Sequence, residues 1–376
     1  MQKTKILLTH RFFYPDSPTY AYILEDMRKM LLLAGYHVEV LSTQPSYKES
    51  DRQKKTTLIE KTKDGSIIYR IPMFTIFSKQ INKILNYFWF PLAAFIFQLF
   101  SKRYDIVTVA TTPPVLYAFA VALVCKLRNR KLIYHVMDIH PEIGKLSGEF
   151  KNKYIYNILT WMDNFTCKTA SSIIVLSMDM KNTLVNRNHT FEKKIKIINN
   201  YDISTNELQK PEAYFKNNSK IKVVFAGNIG RFQNLESFIQ ALQQYGTLQN
   251  FELIFVGEGS ALNHLKKISK TMHETIKFIP HQSITVARQI ISEADMAIVS
   301  LETEIIKYAY PSKTMTYLAE GTPILVCVDD SELSHFIAKN KIGVTVTPSD
   351  LYKIHQIFTD LSAGNLNFDK KYIKRV

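Results

Sequence analysis

The sequence predicts an α/β protein of two parallel-sheet domains facing a cleft, and three observations lead there. Short apolar runs of strand length alternate with stretches of helical periodicity in both halves of the chain. At 376 residues the chain is longer than one ordinary core organises. The stretch 199–220, NNYDISTNELQKPEAYFKNNSK, is polar and poor in aliphatics, as a linker is. An N-terminal domain over 1–199, a linker at 200–220 and a C-terminal domain over 221–355 follow. Residues 356–376 remain as a tail, for which a return to the N-terminal domain is one course.

Hydrophobic residues at 46% against 22% charged describe a folded chain and exclude a disordered one. The formal charge of +15 is unevenly placed: residues 1–200 carry 29 Lys/Arg against 15 Asp/Glu, the remainder 19 against 18. Basicity therefore belongs to the first half, where it suits an anionic membrane surface or an anionic substrate. No nucleic acid is expected, because zinc-finger spacing, basic-region heptads and aromatic RNA-binding signatures are missing. Cys125, Cys167 and Cys327 are odd in number and far apart, which argues for a reducing compartment rather than a disulfide framework. The opening MQKTKILLTH holds too short an apolar run for a signal peptide and reads as a first strand.

That strand is Lys5–Thr9. Tyr20, Ile23, Leu24, Met27, Leu31 and Ala34 then recur at helical spacing, and Gly35 ends the helix before the strand HVEVLST. The loop between, RFFYPDSPT, has no glycine, so a nucleotide phosphate is not expected at this first crossover. Residues 46–65 are polar and read as a mobile loop or edge excursion. Strands follow at Tyr104–Ala110, Lys131–Val136, Ser172–Leu176 and Lys196–Ile198, with a turn at Thr111–Pro114 and a helix through Ala118–Leu127.

One segment of this half stands apart. Phe74, Phe77, Ile81, Ile84, Leu85 and Phe88 form an apolar stripe opposite Ser78, Lys79, Asn82, Lys83 and Asn86, and no charge occurs from Ile84 to Ser101. As a helix, 84–100 reaches about 26 Å at ~1.5 Å per residue, short of a ~30 Å hydrocarbon core, and Pro91 interrupts it. It is not expected to span. Either Pro91 begins a core helix, or the stretch lies in the membrane interface with Trp89, Lys79, Lys83, Lys102 and Arg103 at the headgroups. For 74–90 the interface is favoured.

In the second half, strands are expected at Ile221–Ala226, Phe251–Val256, Ile276–Ile279, Met296–Ser300 and Pro323–Val328, with helices from Leu235, from Ser260, near Val286–Ser292 and at Lys313–Glu320. The first strand opens into Gly227, Asn228, Ile229, Gly230 and Arg231. Glycines there let a phosphate approach backbone N–H groups, because no Cβ stands in the way. Gly257, Glu258, Gly259 and Ser260 repeat the device, with Ser260 expected to cap its helix. Pro311, Ser312 and Lys313 open a further helix. Ser312 as N-cap and Lys313 as cation would stabilise a departing diphosphate, or else form an ordinary cap with a solvated lysine. Asp138, His140 and Glu142 alternate after a strand, so an extended backbone would aim all three to one side, as acid/base or acceptor-hydroxyl contacts or in a structural role; one extended run rarely closes a metal's coordination shell. His10 and Arg11, just after the first strand, face the same cleft on this topology or else are solvated loop residues.

Taken together, YPDSPT, TTPPVL, DIHPE, INNYD, FAGNIGRFQNLE, LIFVGEGS, EADMAIVSL and PSKTMTYLAEGTPIL resemble the retaining glycosyltransferases of family 4, of GT-B fold with two Rossmann-like domains. The likeness is to the bacterial O-antigen and capsule branch, similar to N-acetyl-fucosamine transferases. It implies a C-terminal domain that binds the nucleotide sugar and an N-terminal domain that binds the acceptor through His10, Arg11 and Ser17. The base would meet main chain at Ile279 and Pro280. The diphosphate would meet Gly227, Asn228, Gly230, Gln233, Gly257, Glu258, Ser312 and Thr316, with Arg231 and Lys313 as cations. No metal or other cofactor is implied.

This chain also departs from the family pattern. The two glutamates usual in the family fall at Tyr308 and Thr316, and its strand-end histidine falls at Met137, so that His135 or His140 would have to substitute. The expected activity is transfer of a sugar, from a UDP-linked donor, to a lipid-diphosphate-linked saccharide on the cytoplasmic face of the membrane. A nucleotide-sugar epimerase of the same architecture and a non-catalytic subunit are the alternatives.

Overall fold

The computed structural model describes residues 3–376 apart from 48, 55, 103, 147, 149, 151, 203–212 and 216–218. Most of the expected linker lies outside the described residues. So do Arg103 and the side chain of Lys79, both placed above at the headgroups. Two compact units divide the chain, Met1–Asn199 and Asn200–Val376.

The first unit runs β1 (Lys5–Thr9), α1 (Thr19–Leu33), β2 (His37–Thr43), α2 (Glu49–Arg52), β3 (Ile59–Lys61), β4 (Ile67–Ile71), α3 (Lys79–Phe100), β5 (Ile106–Ala110), α4 (Leu116–Leu127), β6 (Lys131–Val136), α5 (Glu142–Leu146), α6 (Lys153–Thr169), β7 (Ser172–Val175), α7 (Met178–Arg187) and β8 (Ile195–Ile197). Its sheet has the order β3-β4-β2-β1-β5-β6-β7-β8, parallel except for β3, which pairs antiparallel with β4 at the edge. The polar stretch at 46–65 thus contains α2 and this edge strand. β1 and β5 are neighbours, and the chain direction along the sheet reverses there. Ligands of such sheets lie beyond the strand C-termini at that point.

Helix α3 does not begin at Pro91, as the core-helix reading had it. It passes straight through Pro91 for 22 residues, about 33 Å, and Gln80–Phe100 is long and apolar enough to cross a membrane by length and composition. The side it buries is the more polar one. Asn82, Asn86, Phe90, Ala94 and Gln98, each four residues apart, are buried, while Ile81, Ile84, Leu85, Phe88, Leu92, Ile96 and Phe100 are exposed. The two asparagine amides act as strand partners for the preceding segment. Asn82 bonds the N–H and C=O of Phe77, and Asn86 those of Phe74 at 2.8 and 2.9 Å.

The second unit runs β9 (Ile221–Ala226), α8 (Glu236–Tyr245), β10 (Phe251–Val256), α9 (Leu262–Ile268), β11 (Ile276–Ile279), α10 (Ile284–Glu293), β12 (Met296–Ser300), α11 (Lys313–Glu320), β13 (Ile324–Cys327), α12 (Glu332–Asn340), β14 (Gly343–Val346), α13 (Leu351–Ser362) and α14 (Lys370–Ile373). Its six strands are all parallel, in the order β11-β10-β9-β12-β13-β14, with the reversal between β9 and β12. Residues 356–376 are not a separate tail. Helix α13 crosses position 355 and buries Ile357, Phe358 and Leu361 in this unit's core, and Lys370 donates to the carbonyls of Ser292 and Ala294.

Candidate functional site

The loop after β9 lies at the reversal point of the second sheet, and its shape is set by a second loop pressed against it. Gly227 and Gly257 both have φ of +135°. A Cβ on Gly257 would fall 2.0 Å from the Gly227 carbonyl oxygen, and one on Gly259 would fall 2.2 Å from that of Ile229. These two glycines are required by backbone-to-backbone contact between the loops. The N–H groups of Gly227 and Ile229 donate to Val256 and Glu258 at 2.9 and 2.8 Å, and are not free for a ligand. Among the described residues, those of Asn228 and Gly230 have no acceptor.

Helix α11 brings its first residue to the same place. Lys313 Nζ lies 2.9 Å from Gln233 Oε1, 3.6 Å from the centroid of the Phe225 ring, and 3.6 Å from where a Gly227 Cβ would sit. Burial pushes this ammonium down to about 7. The solvated-lysine reading is therefore replaced by a half-buried side chain whose amine is held between an amide oxygen and an aromatic face. Ser312 is exposed, has helical φ and ψ, and makes no side-chain cap; Ser260 likewise gives way to Ala261 as the residue before α9. What anchors α11 is a residue the sequence did not single out. The buried Tyr317 hydroxyl accepts from Ala226 N–H at 2.9 Å and donates to Ala226 O at 3.1 Å, tying the helix to the end of β9. Its signal was only a tyrosine at a core-facing helical position.

Arg231 and Glu258 are exposed, and Thr316 lies one turn beyond Lys313. At the end of β11 the Ile279 carbonyl accepts from Gly257 N–H, and the Pro280 carbonyl from Gln282. Both acceptors expected for a base already have protein partners. Asp202, the last residue of INNYD, chelates Arg288 at 2.8 and 2.9 Å, and Arg288 also pairs with Glu320 at 2.6 Å.

In the first unit, the trio after β6 does not sit on one extended run. The chain turns at His140–Pro141 and starts α5 at Glu142, so the extended alternation stops. Glu142 pairs with Arg187 at 2.6 Å, and Arg187 also holds Asp163 and the His140 carbonyl. Asp138 is different: burial raises its carboxyl to about 6, and its own N–H is held by Thr111 at 3.3 Å. Burial also lowers His10, His135 and His140 to about 4. His10 Nδ1 faces the Phe12 carbonyl at 2.7 Å, and its ring packs on Tyr20. Tyr20 in turn holds His135 Nδ1 at 2.9 Å, leaving His135 Nε2 and His140 Nδ1 buried without a partner among the described residues. Arg11 lies over the Phe12 ring. Ser17 is committed elsewhere, since its N–H and hydroxyl both donate to Asp51.

Comparison with known proteins agrees with this two-sheet layout. Residues 21–201 match the family model Glycosyltransferase Family 4, and residues 206–375 match Glycosyl transferases group 1. The probable glycosyltransferase WbjE of Pseudomonas aeruginosa is 24% identical over 276 residues, covering 71% of this chain and 68% of its own. The putative colanic acid biosynthesis glycosyl transferase WcaI of Escherichia coli K12 is 22% identical, covering 84% of this chain and 81% of its own. Among solved structures, Anabaena HepE in complex with UDP-glucose superimposes with a TM-score of 0.62 at 14% identity, covering 99% of this chain and 97% of that one. With matching models over both units and the two parallel sheets just described, the chain belongs to the family 4 glycosyltransferases of GT-B fold.

Proposed function

We propose that this glycosyltransferase moves a sugar, with retention of configuration and without a metal, from a UDP-linked donor to a lipid-diphosphate-linked saccharide in surface-polysaccharide assembly. The observation that carries the reading is the Lys313 ammonium, held on Gln233 beside the Gly227 loop at the sheet reversal. A diphosphate leaving group gains charge as the glycosidic bond breaks, and a fixed cation with two free N–H groups stabilises it more in the transition state than before. Asp138, raised to about 6, is the group suited to the acceptor hydroxyl. HepE with UDP-glucose supports the donor class, and WcaI the polysaccharide context. Peripheral attachment to the inner face of the membrane is supported by the outward apolar face of α3 and by the positive balance of the first half.

Lys313→Ala is expected to lower turnover by ~10²–10³-fold with the circular dichroism unchanged. An undiminished rate removes Lys313 from the mechanism. Incubation with donor alone separates the alternatives, since an epimerase isomerises it and a transferase leaves it intact. The anomeric configuration of the product, read by NMR, tests retention, and activity in excess chelator tests independence from metal.

A further inference from the structure

We propose that a cavity beside the start of α3 binds the diphosphate of a membrane-embedded, lipid-linked ligand; this rests on the acceptor half of the function proposed above. The cavity measures 240 Å³ and lies between the end of β2, helix α2 and the connection from β4 to α3. Gln44, Ser46, Arg52, Lys54, Met73 and Thr75 line it. It falls below the ~300–1,000 Å³ of ordinary small-molecule sites, so it admits a headgroup and not a whole nucleotide sugar.

Its lining suits an anion. Among the described residues no carboxylate lines it, whereas two cations, two hydroxyls and an amide do. The Gln44 oxygen already accepts from the Thr56 hydroxyl, which leaves the NH₂ of that amide as a donor. Lys54 is tied to Asp51 at 2.7 Å and to the Pro15 carbonyl at 2.6 Å. Arg52 is exposed and has no acceptor among the described residues, so the uncompensated charge is its own. A guanidinium is also the side chain best shaped to grip a phosphate in two places.

One wall leads into the apolar surface. The connection that supplies Met73 and Thr75 continues into Ile76 and Phe77, 85% and 51% exposed, and on to the outward row of α3. A ligand with a phosphate head and a hydrocarbon tail is matched at both ends; a soluble anion is matched at one. Behind the cavity stands the loop after β1. Asp16 accepts from the N–H groups of Ser46 and Tyr47, and Asp51 joins Lys54 to Ser17. The segment that carries the acceptor candidates His10, Arg11 and Ser17 thereby frames the headgroup position.

The test is flotation of the full chain with three kinds of vesicle: phosphatidylcholine alone, phosphatidylcholine with phosphatidylglycerol, and phosphatidylcholine with a small fraction of an isoprenoid diphosphate. Arg52→Glu is expected to weaken binding to the isoprenoid diphosphate vesicles at least tenfold and binding to the phosphatidylglycerol vesicles less than twofold, because diffuse surface charge supplies the latter. Equal losses on both, or no loss on either, overturn the proposal. Inorganic pyrophosphate binding the wild-type chain as tightly as the lipid does also overturns it, since the tail would then be irrelevant. Thermal stabilisation of Arg52→Glu by a UDP-sugar is expected to match wild type. A wild-type chain that binds no nucleotide sugar refutes the function proposed above without touching the lipid result, so the two failures are told apart.

Discussion

Donor binding should take up a proton at Lys313. In the free protein, burial holds this amine near a pKa of about 7 against an ordinary 10.5, so above neutrality most molecules carry it uncharged. A diphosphate docked beside Gly227 supplies the negative charge that the site lacks and returns the amine toward its ordinary value. The fall in affinity is then about fivefold from pH 7 to 8 and approaches tenfold per unit, about 1.4 kcal/mol, beyond that, so that between pH 7 and 9 the loss is ~50-fold. A nucleotide sugar is the right titrant, because a terminal phosphate has its own pKa near ~6. Calorimetry at pH 8.5 in buffers of different ionisation enthalpy should show close to one proton taken up per donor bound, and Lys313→Met should show none. A wild-type affinity that is flat from pH 7 to 9, or a Lys313→Met variant with the wild-type slope, refutes the reasoning. The ligand-free fold has the opposite dependence on this residue: the lowered amine favours the folded state fully above 10.5 and loses that contribution as pH falls toward 7.

Three further outcomes follow from other sites. His10, His135 and His140 are held neutral in the fold, so the stability they preserve is complete above 6.5 and drains as pH falls toward about 4. Asp138, raised to about 6, opposes them, and a net two protons give a slope of ~2.7 kcal/mol per pH unit. Both tryptophans, Trp89 and Trp161, lie in the first unit, so their fluorescence should report its acid unfolding alone, and His135→Gln should make the transition shallower. Gly257→Ala forces a Cβ onto the Gly227 carbonyl and should cost ~3 kcal/mol by urea midpoint, together with donor affinity. Gly65→Ala, also at positive φ but in open space, should cost ~1 kcal/mol and leave the donor alone. Gln98 is fully buried in α3 with both amide atoms unpartnered among the described residues, so Gln98→Met should stabilise by ~1–2 kcal/mol; a lower urea midpoint would mean that the amide is satisfied in solution.

The sheet strands around both reversal points were legible because fully buried parallel strands are short apolar runs that end in turn residues, as IKVVFA and FELIFV do. The glycine loops were legible as tight turns after their strands, yet the reason for Gly257 and Gly259 is contact between two loops 30 residues apart in the chain, which spacing does not encode. Lys313 was visible as a charge at a helix start, while its enclosure by Phe225 and Gln233 depended on tertiary packing. Helix α6 escaped notice for a sharper reason. It buries Met162, Asp163, Thr166 and Cys167 and exposes Tyr154, Ile155, Ile158 and Trp161, so its periodicity points the wrong way. Helix α13 carried an ordinary stripe at Ile354, Ile357, Phe358 and Leu361, and the boundary set at 355 cut through it.

The reversed face of α3 has a consequence for how the chain tolerates change. Asn82 and Asn86 are keyed atom by atom to the backbone at Phe77 and Phe74, whereas Ile81, Ile84, Leu85 and Phe88 on the outside are exposed. Random variation should therefore be forgiven at these four exposed positions and punished at the two asparagines. That inverts the ordinary rule in which interiors accept one hydrocarbon for another and exteriors accept one polar group for another.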